Sequence, residues 1–346
     1  MKLRGSICLM LALACMGGAL AEEPATPGMQ ERPAMENGEF AGRGERPDGM
    51  GEKMDGMGER PDGVGRGGMG GGAGQGGVGV ESHYAEAEEK FTQHEYTDPE
   101  TGLTIPYNLY LPEGYDGETE YPLVIYIADA GVNSNEVTDV IRQDGAAVWA
   151  TDAEQKKHPC IVLAPQYTLD LVNSIGMLTE DDYEWSEGLT LVSNLIFSFI
   201  DEYAVDESRI YGTGQSQGGM TTIAMSDKYP DLYAAQLLVA CQWDVEEMSA
   251  MVDDKLWIVV CEGDTKAYPG MNAATENWAQ LGAQVATSEM WDGEADAAEM
   301  AARVAEMEAQ GCDINYTVLS GGSHTYTWTV AYTIESIRDW LFAQSK

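Results

Sequence analysis

Beyond residue 80 the chain alternates short apolar runs with longer segments whose apolar residues recur at helical spacing. The runs LVIYIADAG, CIVLAPQ, AAQLLVA and LWIVVCEG are typical of strands buried on both faces. Helical spacing marks NEVTDVIRQDGAAVWA, SEGLTLVSNLIFSFIDEYAV, QGGMTTIAMSDKYP, the Ala/Glu/Met-rich stretch 296–310 and VAYTIESIRDWLFAQ. Ser186 and Glu187 suit the start of the second of these helices.

Four further segments complete this pattern. KFTQHEYTD and LTIPYNLYLPEGY are predicted strands separated by the turn residues of DPETG, and RIYGTG and INYTVLS are predicted strands among the helices. Strands that alternate with helices indicate a largely parallel sheet covered by helices on both faces. The pattern therefore predicts one α/β domain over residues 81–346, with a mixed sheet whose first strands are antiparallel.

The first 21 residues have the layout of a secretory signal peptide. Lys2 and Arg4 are followed by the apolar run ICLMLALACMGG, and small residues at 19–21 suit a cleavage point. The run is too short to span a bilayer comfortably. An alternative is a lipoprotein signal with lipid attachment at Cys15, although the residues before Cys15 suit that processing poorly. The sequence predicts export.

Residues 22–80 hold little that could build a core. The units GERPDGM, GEKMDGM and GERPDGV stand in tandem from residue 44 and lead into GRGGMGGGAGQGGVGV. Glycine raises the entropy cost of ordering a chain, so this composition predicts a disordered linker. A spacer that lifts the domain from a cell surface is the alternative to an inert tail.

The net charge of −39 excludes classes of partner. Nucleic acids and anionic membranes both require a basic surface, so neither is expected to bind. Cys160, Cys241, Cys261 and Cys312 remain after signal removal, and none has metal-ligand spacing. Export permits disulfides in three alternative pairings, but structural thiols are the simpler interpretation. The sequence implies no metal and no organic cofactor.

Ser216 lies in IYGTGQSQGGM, a G-x-S-x-G motif in a chain with 40 glycines. Its position is more informative than its glycines, because RIYGTG is a predicted strand and QGGMTTIAM a predicted helix. A serine on the sharp turn between strand and helix is the arrangement of a nucleophile elbow. Gly218 and Gly219 suit the close strand–helix crossing there.

A nucleophilic serine needs a base. The chain has four histidines, at His83, His94, His158 and His324. In open α/β sheets the chemistry gathers at the carboxyl ends of strands. His324 lies there, in the loop LSGGSHTYTW after INYTVLS, and is the predicted base.

The acid that orients the base should lie between the serine and the histidine. Asp264 follows the strand LWIVV in CEGDTKAYPG and is the first candidate, although an Asp here also commonly caps the following helix. Its rivals are Glu262 and Asp244, the latter in ACQWD after the preceding strand.

An oxyanion hole needs two backbone N–H groups aimed at the developing charge. Gln217, directly after the serine, supplies one, and Ala130 or Gly131 in ADAGVNS is the candidate for the other. Gln166, Trp185 and Trp243 lie in predicted strand-end loops. They are candidates for substrate binding, with plain loop packing as the alternative.

These motifs together resemble the α/β-hydrolase superfamily. Within it the chain is similar to secreted esterases related to polyhydroxybutyrate depolymerases, feruloyl esterases and the group called predicted peptidases. The resemblance covers about residues 90–346 and rests on TGLTIPYNLYLPEGYD, YPLVIYIADAG, VLAPQ, YAVDESRIYGTGQSQGGMTTIAMSDKYPDLYAAQLLVA, CEGDTKAYPG and GGSHTYTWTVAYTIESIRDWLF. It implies the α/β-hydrolase fold and ester hydrolysis through an acyl-enzyme, with Ser216, Asp264 and His324 as a triad.

The chain departs from the resemblance at Ala128–Gly131, where family members usually carry His-Gly-x-Gly. Asp129 brings a carboxylate near the expected oxyanion, and an unpaired charge there would oppose catalysis.

Three functions are consistent with the sequence. The first is a secreted serine esterase acting on small-molecule or polysaccharide-linked acyl esters. The second is a serine peptidase with the same machinery, although nothing resembles the propeller domain of prolyl-oligopeptidase relatives. The third is a binding or surface protein that has kept the fold without useful activity.

Overall fold

A computed structural model describes residues 83–346. The predicted signal peptide at 1–21, the alternative lipid site at Cys15 and the repeat-containing linker at 22–80 lie outside these described residues. Within the part that is described, no helix combines the length and apolar character needed to cross a bilayer.

One mixed sheet forms the centre of the described domain. Its strands are β1 (Thr92–Thr97), β2 (Thr104–Tyr110), β3 (Tyr121–Ile127), β4 (Ile161–Pro165), β5 (Val205–Gln215), β6 (Ala235–Val239), β7 (Leu256–Cys261), β8 (Val285–Thr287) and β9 (Ile314–Leu319). They lie in the order β1-β2-β4-β3-β5-β6-β7-β9-β8. β1 and β4 each pair antiparallel with β2, and every other pairing is parallel. This confirms the predicted mixed sheet with antiparallel strands at its beginning.

Helices cover both faces. They are α1 (Tyr84–Ala87), α2 (Asp144–Ala147), α3 (Asp152–Lys157), α4 (Leu169–Ile175), α5 (Glu187–Glu202), α6 (Gln217–Lys228), α7 (Ala267–Leu281), α8 (Ala297–Glu308), α9 (His324–Ala331) and α10 (Glu335–Phe342). The helices α4–α7 bury apolar side chains in a cluster on one face, and α2 and α8–α10 bury theirs on the other. Ser186 caps α5 as predicted, because its hydroxyl accepts the Leu189 N–H at 2.9 Å.

Two predicted helices are interrupted. Over 135–150 the chain forms a 3-10 turn at Val137–Arg142, then α2, then a second 3-10 turn at Val148–Ala150. Here the Val137 carbonyl accepts from the Asn108 side chain at 2.7 Å, and the Val140 N–H donates to Gln166 at 3.0 Å. A side chain of β2 and the side chain directly after β4 thus take backbone groups that a continuous α-helix would use itself. The predicted last helix is likewise split into α9 and α10.

The helices α4 and α7 and the strand β8 were not predicted from the pattern. α7 carries Pro269 and Gly270 in its first turn. Proline is tolerated there because the first helical N–H groups have no partner within the helix. β8 has only three residues and lies at the sheet edge, so it carries little periodicity.

The cysteines are free thiols throughout residues 83–346. Cys160, Cys241 and Cys261 are buried and Cys312 is partly exposed. Burial raises the pKa of the Cys261 thiol and that of the other two buried thiols. A thiol is a good nucleophile only when ionised, so these three are structural, as the simpler interpretation of the sequence has it.

Candidate active site

Ser216 lies on the turn between β5 and α6. Its backbone has φ 52° and ψ −119°, an unusual conformation for a residue with a side chain. Its N–H donates to the Val239 carbonyl of the neighbouring strand β6 at 3.0 Å, which helps hold the turn in this shape. A strained residue fixed by its surroundings, at the carboxyl edge of a parallel sheet, is typical of a functional site.

Gly218 and Gly219 let α6 approach the sheet at this turn. A methyl group on Gly218 would overlap the Ile127 carbonyl at the end of β3. One on Gly219 would overlap the Cys241 side chain. The predicted close crossing is therefore confirmed, and it places the first turn of α6 against the end of β3.

Gly218→Ala is expected to reduce the free energy of unfolding by about 3 kcal/mol, because the overlapping atom belongs to the backbone and cannot rotate away. Gly102→Ala is the control. Its added methyl meets open space, and its φ of 72° predicts a cost of only about 1–2 kcal/mol. Urea denaturation of the two variants measures the difference. Equal stabilities would contradict the close crossing.

The serine, the histidine and the acid form one hydrogen-bonded row. His324 Nε2 lies 2.8 Å from Ser216 Oγ, and His324 Nδ1 lies 2.5 Å from Asp264 Oδ2. His324 is the first residue of α9, and the Trp328 ring packs edge-on against the imidazole at 5.1 Å between centroids. One imidazole nitrogen thus faces the hydroxyl while the other faces a carboxylate, as general-base activation of a serine requires.

Asp264 is 3% exposed and serves two partners at once. While Oδ2 faces His324, Oδ1 accepts the N–H groups of Lys266 and Ala267, both at 3.0 Å, at the start of α7. Burial alone would raise the pKa of this carboxyl, but the hydrogen bond from His324 and those from the backbone hold the pKa below its usual value. The predicted helix cap and the predicted partner of the histidine are therefore the same residue.

The two rival acids lie elsewhere. Glu262 accepts the Gly321 N–H at 3.2 Å, so it supports the loop before His324 without contacting the imidazole. Asp244 accepts the N–H groups of Glu246 and Glu247 and caps the turn after β6. The remaining histidines also have other partners. His83 lies beside Asp144, His94 beside Thr92, and His158 beside Asp339.

Among the backbone N–H groups near Ser216 that have no acceptor within residues 83–346 are two candidate oxyanion donors. They belong to Gln217, at the start of α6, and to Ala130, at the start of the 3-10 turn Ala130–Val132. Gly131 differs, because its N–H donates to Asp129 Oδ1 at 2.7 Å. Ala130 and Gly131 were the two candidates for the second oxyanion donor. The Ala130 N–H is free to serve, whereas the Gly131 N–H is occupied.

The Asp129 carboxylate is hydrogen-bonded to three donors and is therefore not left unpaired. Besides the Gly131 N–H it accepts the side-chain amides of Gln143 and Gln215 on its second oxygen, at 2.5 and 2.8 Å. The carboxylate is thus directed at three neutral donors.

Two of the three predicted substrate contacts have other roles. Gln166 is 1% exposed, and its amide donates to the carbonyls of Val132 and Ser134 at 2.6 and 3.2 Å. It therefore supports the loop that carries Ala130. Trp185 lies under the Lys228 ammonium, at 3.7 Å from the ring centroid. Lys228 is the last residue of α6, whereas Ser216 directly precedes the first. Because the 12 residues of this helix extend about 18 Å, Trp185 is remote from Ser216.

Trp243 lines a cavity of about 390 Å³ together with Tyr183, Gln242 and Lys266. The rings of Trp243 and Tyr183 meet edge to face at 5.1 Å between centroids. Tyr183 has φ 59°, and Lys266 pairs with Asp181 at the rim. The cavity adjoins the loops after β6 and β7, and the second of these loops carries Asp264. In the described part of the chain no group of three or more His, Cys, Asp or Glu side chains is placed to hold a metal ion.

Comparisons with known proteins agree with this fold. Residues 194–346 match the model of the prolyl oligopeptidase family. A stretch of 96 residues is 33% identical to acetylxylan esterase A of Emericella nidulans. A thermostable esterase of known structure superposes on 75% of the chain with 27% identity and a TM-score of 0.61. The chain is a member of the α/β-hydrolase superfamily.

The likeness to individual relatives is partial. The match spans 26% of this α/β-hydrolase and 28% of the acetylxylan esterase, and it covers 64% of the thermostable esterase. The feruloyl esterase module from Clostridium thermocellum, with 15% identity and a TM-score of 0.51 over 75% of this chain and 92% of that one, shares the fold.

Proposed function

We propose that this α/β-hydrolase is a serine esterase that cleaves carboxylic esters through an acyl-enzyme on Ser216. The observation that carries the proposal is the row from Ser216 through His324 to Asp264, with contacts of 2.8 and 2.5 Å. In the first step His324 Nε2 accepts the hydroxyl proton while Oγ attacks the ester carbonyl carbon. Asp264 stabilises the imidazolium that forms.

The negative charge then develops on the carbonyl oxygen. The free N–H groups of Ala130 and Gln217 are the proposed donors to it. Collapse of the tetrahedral intermediate breaks the bond to the alcohol oxygen, which receives the proton from His324. A water molecule, activated by the same nitrogen, releases the acid and regenerates the serine.

An acyl group on a polysaccharide is the proposed substrate. The likeness to acetylxylan esterase A supports an acetyl ester. The predicted signal peptide supports export to where such polymers occur. The cavity lined by Tyr183 and Trp243 supplies aromatic and polar surface for a part of the substrate beyond the ester group.

A serine peptidase is the second candidate, favoured by the match of residues 194–346 to the prolyl oligopeptidase family. Amide and ester hydrolysis share the same acyl-enzyme route, so the row of three residues serves either reaction.

Rates of the full chain on matched substrates distinguish the candidates. We expect p-nitrophenyl acetate and acetylated xylo-oligosaccharides to be hydrolysed with larger kcat/KM than aminoacyl p-nitroanilides and short peptides. Faster turnover of the amides would favour the peptidase. If the folded protein hydrolyses neither the esters nor the amides, a binding or surface protein would be the better interpretation.

Tyr183→Ala is expected to raise KM for acetylated xylo-oligosaccharides about 10-fold, because one aromatic contact contributes up to about 1.5 kcal/mol. KM for p-nitrophenyl acetate should change little, since the small ester does not extend into the cavity. Trp185→Ala is the matched control, an aromatic truncation in the same loop but remote from Ser216. Steady-state kinetics check both, and an equal effect of the two substitutions would contradict the proposed role of the cavity.

A further inference from the structure

The loop after β3 is built around a carboxylate. Asp129 precedes the 3-10 turn Ala130–Val132 and caps it, since Oδ1 accepts the Gly131 N–H at 2.7 Å. The contact fixes the direction of the peptide groups around Ala130. It also occupies the Gly131 N–H, so Ala130 carries the free donor of this turn.

The second oxygen of Asp129 connects this loop to the nucleophile turn. Oδ2 accepts the side-chain amide of Gln215 at 2.8 Å, and Gln215 directly precedes Ser216. Gln215 is 2% exposed, whereas Asp129 is half-buried, so the contact is partly buried. A loop from β3 and the end of β5 are thereby joined through one carboxylate.

The same oxygen is supported from a third element. It accepts the amide of Gln143 at 2.5 Å, and the Gln143 carbonyl oxygen in turn accepts the Tyr126 hydroxyl at 2.5 Å. Tyr126 is fully buried in β3. Hydrogen bonds to a charged acceptor are roughly twice as strong as neutral ones, so a carboxylate here holds the amides more firmly than a neutral side chain would.

Gln166 supports the other end of the loop. Its amide donates to the Val132 carbonyl at 2.6 Å, while Asp129 holds the first residues of the same turn. Between these two supports lies the Ala130 N–H. Loops are the mobile part of most folds, and a donor on a mobile loop loses much of its effect on a transition state.

We propose that Asp129 is a positioning residue that holds the Ala130 N–H in place for the oxyanion, relative to Ser216 and the Gln217 N–H. The inference rests on the proposed esterase function. Asp129 makes no contact with the reacting atoms. It acts through the Gly131 N–H and the Gln215 side chain, which set where the loop lies relative to the nucleophile turn.

Asp129→Ala is expected to lower kcat for p-nitrophenyl acetate about 100-fold, the effect of losing one oxyanion donor, with KM changed less than about 3-fold. Affinity for a phenyl boronic acid, which forms a tetrahedral adduct on the serine, should fall by a similar factor. Asp129→Asn keeps an acceptor for the Gly131 N–H but presents an N–H₂ group to the glutamine amides. It is expected to lose about 10-fold in kcat.

Asp296→Ala is the matched control, because Asp296, like Asp129, caps a helical segment by accepting backbone N–H groups, here the two at the start of α8. It should lose stability and retain kcat. If Asp129→Ala does not fold, Asp129→Asn carries the test. Unchanged kcat and boronate affinity in a folded Asp129 variant would overturn the inference. A wild-type chain that hydrolyses no ester would instead overturn the proposed function.

Discussion

Replacing Ser216 by alanine is expected to lower kcat for p-nitrophenyl acetate by about a million-fold. The reason is that no other group can form the acyl bond, and in serine hydrolases the loss of the nucleophile removes nearly all the benefit of the base as well. The histidine lies 2.8 Å from the hydroxyl, so the two act as one unit.

The fold should tolerate this change. Ser216 is held through its backbone, by the bond from its N–H to Val239, and that bond is independent of the side chain. Thermal unfolding of the variant is therefore expected near that of the wild type. A folded Ser216→Ala variant with more than about 1% of wild-type kcat would contradict the assignment of the nucleophile.

Asp264→Asn is expected to lower kcat by about ten-thousand-fold. An asparagine can donate to His324 Nδ1, which would favour the tautomer with its proton on Nε2, and that nitrogen could no longer accept the serine proton. The hydrogen bonds from Lys266 and Ala267 can persist on the remaining oxygen, so the start of α7 should stay in place. Steady-state kinetics with p-nitrophenyl acetate measure the loss.

Glu262→Gln is the matched control for this prediction. Glu262 lies two residues before Asp264, and its oxygen accepts the Gly321 N–H, a role that a glutamine can keep. Its kcat should stay within about 3-fold of wild type, since a neutral acceptor still supports the loop. If Glu262→Gln or Asp244→Asn lost as much activity as Asp264→Asn, the assignment of the acid would be wrong.

Much of the sheet could be predicted because its strands are buried on both faces. Short continuous apolar runs such as those of β3, β6 and β7 are typical of strands buried on both faces. The antiparallel start was predicted from the turn between β1 and β2. For α7 the sequence offered only Asp264 as a cap, and the extent of the helix was missed, since its first turn holds proline and glycine and its polar residues obscure the period.

The site was less predictable than the sheet. Ser216, Asp264 and His324 each follow a predicted strand. The carboxyl ends of parallel strands meet at one edge of a sheet, so the proximity of the three residues could be expected from their order along the chain. The roles of Gln166 and Trp185 depend on tertiary contacts with the loop at 132–134 and with Lys228, which no local pattern encodes. The two glutamine partners of Asp129 lie 14 and 86 residues away along the chain, so these contacts could not be foreseen.

Trapping of the acyl-enzyme tests the central claim most directly. The full chain is mixed with an excess of p-nitrophenyl acetate, quenched in acid within the first turnover, and digested for mass spectrometry. The account predicts one acetyl group on the peptide that contains Ser216, and none on that peptide in Ser216→Ala. Ester hydrolysis by the wild type with the acetyl group on another residue, or with equal turnover by Ser216→Ala, would contradict it.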